Sequence, residues 1–128
     1  LIVLNPSPAD ALVGIRPPHV DFFTPNETEA MVLSGLSAFS VESLPEIAAR
    51  LRERYDFTSL VITLGSRGCY VDSGGRDALL SCPRVRALDT SGAGDCFNAA
   101  IAFASYQGMD IWDAARFAMR CASYSVTQ

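Results

Sequence analysis

Seven consecutive residues, Asp89-Thr90-Ser91-Gly92-Ala93-Gly94-Asp95, combine small side chains with two carboxylates and run straight into a helical pattern. Gly92, Ala93 and Gly94 occupy the first turn of that expected helix. Backbone N–H groups at a helix N-terminus have no intrahelical partner, and the helix dipole places partial positive charge there. Small residues leave those donors uncovered, which suits a phosphate or a developing phosphoryl anion. Asp95 follows at once. Beside a phosphate its charge is repulsive unless it has a task, and taking a proton from an attacking hydroxyl is such a task. Read without its neighbours, the segment also fits a plain glycine turn in which Asp95 is a favourable first-turn acid.

The elements that must hold this turn follow from periodicity. Residues 1–4 predict a short buried strand, stopped by Asn5-Pro6-Ser7-Pro8. Residues 20–23 predict a second strand. Asn26 then caps a helix carrying Ala30, Val32 and Leu33, with Glu29 at the capping-box position and Gly35 at the end. Residues 43–55 form an amphipathic helix whose apolar face is Leu44, Ile47, Ala48 and Leu51. Residues 59–64 are the clearest strand, followed by the turn Gly65-Ser66-Arg67-Gly68 and a strand at 69–72 that pairs back across it. Arg67 is expected to be a solvated turn residue. Gly74-Gly75 is another turn, and residues 79–85 predict a strand interrupted by Pro83. After Gly92, Phe97, Ala100, Ile101 and Ala104 recur with helical spacing. Residues 110–126 form a last helix with a small-residue face of Ile111, Ala114, Ala115, Ala118 and Ala122. Strands alternating with helices imply an α/β layer architecture with a largely parallel sheet.

A chain of 128 residues that is 49% hydrophobic and 19% charged fits one compact globular domain. The formal charge of −4 argues against nucleic acid or an anionic membrane as the main partner. No segment reaches the roughly 18 apolar residues needed to span a bilayer. Cys69, Cys82, Cys96 and Cys121 show no metal-binding spacing and read as free thiols in a reducing cytosol. His19, after two prolines, reads as solvated. Both ends fall inside regular patterns and look cut. The predicted location is cytoplasmic.

The segment 89–97 resembles the second signature of the phosphofructokinase-B type, or ribokinase-like, carbohydrate kinases, of the form D-T-x-G-A-G-D-x-F. Asp89, Thr90, Gly92, Ala93, Gly94, Asp95 and Phe97 match it. Thr24-Pro25-Asn26-Glu27-Thr28-Glu29-Ala30 is similar to that family's N-x-x-E segment. Leu64-Gly65-Ser66-Arg67-Gly68 looks like its nucleotide-contacting turn, and Asn5-Pro6-Ser7-Pro8-Ala9 resembles the N-P-x-P-A stretch of its ribokinase branch. The resemblance implies a three-layer α/β/α fold, truncated here at both ends, with residues 1–128 as the nucleotide-binding and catalytic part. It implies Asp95 as general base and the Gly92, Ala93 and Gly94 amides as the anion hole. Asn26 would meet the nucleotide phosphates, Glu29 the hydration shell of Mg²⁺, and Thr63, Gly65, Ser66 and Gly68 the nucleotide. Asp89 and Ser91 would help hold an activating K⁺.

The implied reaction is ATP-dependent phosphorylation of a sugar hydroxyl, with ribose first and fructose phosphate or adenosine as alternatives. The implied partners are a small sugar and ATP, with a homodimer for the full-length protein. Family members are more than twice this length, and their sugar-contacting region and the end of their adenine pocket have no counterpart here. The 128 residues alone are therefore expected to be inactive. A non-catalytic nucleotide-binding module is the competing reading, and upstream sequence would discriminate the two.

Overall fold

In the computed structural model, which describes residues 1–128, five strands form one sheet in the order β1-β2-β3-β4-β5. They are β1 (Val3–Leu4), β2 (Val20–Phe23), β3 (Phe57–Thr63), β4 (Cys69–Ser73) and β5 (Arg76–Leu80). β1, β2 and β3 pair in parallel, and β4 pairs antiparallel with both β3 and β5. Only β4 therefore runs against the rest. The helices are α1 (Glu27–Ser34), α2 (Leu44–Arg54), α3 (Ala93–Tyr106) and α4 (Ile111–Ser125).

The side-chain alternation of β3 separates two cores. Leu60 and Ile62 pack with Phe23 against Leu33 of α1 and Leu44, Ile47 and Leu51 of α2. Val61 faces the other way, with Cys69 and Val71, toward Phe97 and Ile101 of α3 and Ala114, Ala115 and Ala118 of α4. A strand buried on both faces reads as a continuous apolar run, which is why β3 stands out in the sequence. Helices on both faces make the three-layer α/β/α architecture that the resemblance implies.

Local chemistry sets the helix boundaries. Asn26 Oδ1 accepts from the Glu29 N–H at 2.9 Å, and Glu29 Oε2 accepts from the Asn26 N–H at 2.8 Å. This reciprocal cap, worth about 1 kcal/mol, starts α1, and Gly35 ends it at φ 73°. The alanines of α4 remove side-chain bulk and let α3 and α4 pack closely. Asp110 caps α4 through the Asp113 N–H at 2.9 Å.

Several expectations need correction. The strand at the start is only Val3–Leu4 and is half-buried, while Leu1 and Ile2 are 63% and 54% exposed. Leu1 and Ile2 precede the residues of β1 that pair with β2, Val3 and Leu4. Val32 is exposed because it lies two positions from Ala30, off the face that Ala30 and Leu33 share. The last strand is not at 79–85. It starts at Arg76, directly after the Gly74-Gly75 turn, because the hairpin register pairs Ser73 with Arg76. Residues from Ser81 to Thr90 are irregular. Arg67 is not simply solvated: it pairs with Glu27 and its guanidinium lies 5.3 Å from the centre of the Phe39 ring. His19 is exposed and hydrogen-bonds Asp56 and Thr58.

No helix is long and apolar enough to cross a membrane. All four cysteines are free. Burial pushes the Cys69 thiol up to about 12, so it stays protonated and unreactive at neutral pH. Alkylation of the folded protein at pH 8 is expected to modify Cys69 at least about 100-fold more slowly than Cys96, which is partly exposed. Peptide mass spectrometry over a time course measures this, and equal rates would show that the α3–α4 core opens readily.

Candidate active site

The carboxyl ends of β2 and β3 lie side by side. The Thr63 N–H donates to the Pro25 carbonyl at 3.0 Å, and Asn26 pairs with Thr63 in an isolated parallel bridge. The chain then turns sharply through Gly65–Arg67. This turn faces the start of α3 across a cleft of about 510 Å³. Thr63, Gly65, Ser66 and Gly68 line one side, and Thr90, Ala93 and Gly94 line the other. Ligands of open α/β sheets bind outside the carboxyl ends of the strands, which is where this cleft lies.

The cleft has a wall that sequence reasoning missed. Pro83, Val85 and Ala87 from the irregular loop, with Met119, Ala122 and Val126 at the end of α4, make it largely apolar. The small-residue face of α4 is legible in the sequence. That residues from Met119 to Val126 line this cleft depends on α3–α4 packing and leaves no local signal.

The start of α3 lacks a side-chain cap, unlike α1 and α4. Its N-cap is Gly92, at φ 74°. The Ala93 N–H donates to the Thr90 carbonyl at 3.3 Å, so it is partly spoken for. The N–H groups of Gly92, Gly94 and Asp95 have no intramolecular acceptor. The uncovered donors are therefore these three rather than the run Gly92, Ala93, Gly94. Asp95 is exposed, in the first turn of α3, one residue beyond the cleft-lining Gly94.

The remaining site residues lie outside the cleft lining. Asn26 and Glu29 spend one oxygen each on their mutual cap. Glu29 is 8% exposed, and its second oxygen makes no hydrogen bond. That free carboxylate oxygen is a hard donor able to contact the water shell of a divalent cation. The Asp89 carboxylate accepts from the Ser91 N–H at 2.8 Å. This bond holds the Asp89 carboxyl below its ordinary value. Asp89 and Ser91 are thus tied to each other two residues apart, just before the turn into α3.

Uncovered helix-start amides over the carboxyl edge of an α/β/α sheet are an arrangement able to hold an anionic group. Residues 1–128 match the pfkB family of carbohydrate kinases, and the chain belongs to that family. It is 39% identical over 125 residues to the ribokinase of Bacillus subtilis, covering 98% of this chain and 39% of that protein. It is 34% identical over 127 residues to the ribokinase of Haemophilus influenzae, covering 99% of this chain and 41% of that protein. The solved Arabidopsis thaliana ribokinase, complexed with ribose and ATP, superposes with a TM-score of 0.77 at 32% identity, covering 85% of this chain and 35% of that one. The chain thus spans about two fifths of the length of the curated relatives it matches.

Proposed function

We propose that these residues are the nucleotide-binding and phosphoryl-transfer part of an ATP-dependent sugar kinase, with ribose as the acceptor. The observation that carries the reading is the uncapped start of α3, where free amides stand beside Asp95 at the mouth of an apolar cleft. The relatives' names point to the same acceptor.

In this reading the adenine lies against Val85, Met119 and Val126, where apolar surface is removed from water. The phosphates extend toward Thr63, Ser66 and the start of α3. Asp95 takes the proton from the attacking sugar hydroxyl as the oxygen bonds to the terminal phosphorus and ADP departs. The Gly92, Gly94 and Asp95 amides donate to the phosphoryl oxygens, whose negative charge must be held throughout transfer. Mg²⁺, when bound, neutralises charge on the nucleotide phosphates; Glu29 is the residue of this chain that would reach its waters, and Asn26 would meet the phosphates themselves. Asp89 and Ser91 would hold K⁺.

An ATP-consumption assay on the natural-length gene product, with ribose, 2-deoxyribose, fructose 6-phosphate and adenosine as acceptors, tests the reading. Ribose-dependent turnover is expected, and ATP binding without turnover on any of them would favour a non-catalytic module.

Gly94→Val probes the anion hole. A Cβ at Gly94 meets nothing within 4 Å, so a side chain there begins in open space. The side chain would stand in the space the phosphoryl oxygens need, and kcat is expected to fall at least about 100-fold. Melting and turnover measured on one sample decide the matter. A large loss of stability with normal turnover per folded molecule would make Gly94 purely structural.

A further inference from the structure

The start of α3 is tied to the sheet by side chains outside the cleft lining. Thr24 follows β2 and is 1% exposed. Its Oγ1 donates to Asn98 Oδ1 at 2.6 Å and lies 3.3 Å from the Leu4 carbonyl. Asn98 Nδ2 in turn donates to the Gly94 carbonyl at 2.9 Å. The backbone of Thr24 is fixed as well: its N–H donates to the Leu4 carbonyl at 2.9 Å, and Asn5 Nδ2 donates to its carbonyl at 2.8 Å.

A buried hydroxyl needs a partner, and an asparagine side chain offers an acceptor and a donor in one rigid plane. Asn98 uses both, one toward the sheet and one toward the first turn of α3. The Gly94 carbonyl belongs to the same rigid peptide unit as the Asp95 N–H. Holding that carbonyl therefore holds the direction of one uncovered amide, and it places Asp95 itself.

We propose that Thr24 and Asn98 are positioning residues for phosphoryl transfer, a clamp that fixes the Gly94–Asp95 peptide relative to the ends of β1 and β2. The proposal rests on the reading of α3's start as the phosphoryl-transfer site. The clamp touches no substrate atom, so it acts on the reacting geometry and hardly on nucleotide binding.

The test uses the natural-length gene product with ribose and Mg-ATP. Asn98→Ala and Thr24→Val each are expected to lower kcat about 10- to 100-fold, with the KM for ATP within about threefold of the unaltered protein. Thr24→Ser, which keeps the hydroxyl, should restore most of kcat. The double variant Thr24→Val/Asn98→Ala should be no worse than the poorer single variant, because both break one chain of bonds. Melting curves on the same samples give turnover per folded molecule, and a kcat that is normal on that basis in both single variants overturns the clamp. Asp95→Asn measured alongside separates the two readings. Lost turnover in Asp95→Asn with normal turnover in Asn98→Ala and Thr24→Val overturns the clamp alone. Normal turnover in Asp95→Asn overturns the site reading and the clamp with it.

Discussion

Asp95→Asn in the natural-length gene product is expected to lower kcat at least about 100-fold and to leave the KM for ATP within about threefold. The substitution preserves size and polarity in the first turn of α3 while removing the carboxylate proposed to accept the proton. Asp95 is exposed, so stability should change little. Nucleotide affinity should hold because the free amides of Gly92, Gly94 and residue 95 are backbone groups that the substitution leaves in place. Removing a carboxylate from beside the phosphates also removes a repulsion, so the KM for ATP has no reason to rise. A loss confined to kcat is the sign of an interaction made only in the transition state. Steady-state kinetics over a range of ATP and ribose concentrations separates the parameters. Turnover within about threefold of the unaltered protein would remove Asp95 from the base role.

What the sequence disclosed is what is local. The start of α3 is legible because Gly92, Ala93 and Gly94 directly precede a helical run that buries Phe97, Ala100, Ile101 and Ala104. The cap of α1 is legible because Asn26 and Glu29 stand three residues apart and satisfy each other. α2 is legible because one face of it is wholly apolar. The start of β5 is not legible because a strand with polar Arg76 and Asp77 at its head has weak periodicity, and only the pairing with β4 fixes its register.

The missing parts of the site are contacts between distant segments. Thr24 and Asn98 are 74 positions apart, and no spacing rule joins them. The apolar wall of the cleft joins a loop at 83–87 to the last turns of α4. The engagement of the Ala93 N–H depends on how the turn at Thr90 closes, which the residue types alone do not specify. The sequence names the candidate groups, whereas which amides are left without an acceptor, and which side chains tie the start of α3 to the sheet, depend on the tertiary structure.

Gly68 and Gly94 both line the cleft, but only Gly68 is held to glycine by its backbone. Its φ is 101° and ψ is −135°, a region that side chains avoid. A Cβ there would lie 1.9 Å from the Leu80 carbonyl oxygen and 3.0 Å from the Cys82 N. Both are backbone atoms, so no rotamer change relieves the overlap. The same residue closes the turn after β3: its N–H donates to the Gly65 carbonyl at 3.1 Å, and its carbonyl accepts from the Leu64 N–H at 2.9 Å. Gly68→Ala must therefore displace the end of β5 or open the β3–β4 turn. The expected cost is about 3–5 kcal/mol, at the upper end for single substitutions. That is a large share of the roughly 5–15 kcal/mol that holds a folded protein together. The melting midpoint should fall by about 10 °C or the protein should fail to accumulate in soluble form. Gly94→Ala, with open space around its Cβ and no positive φ, should shift the midpoint by only about 2 °C or less. Thermal melts of the two alanine variants beside the unaltered protein test the contrast. Equal and small shifts would mean that Leu80 and Cys82 yield easily, and that the tight approach at Gly68 is not what fixes this side of the cleft.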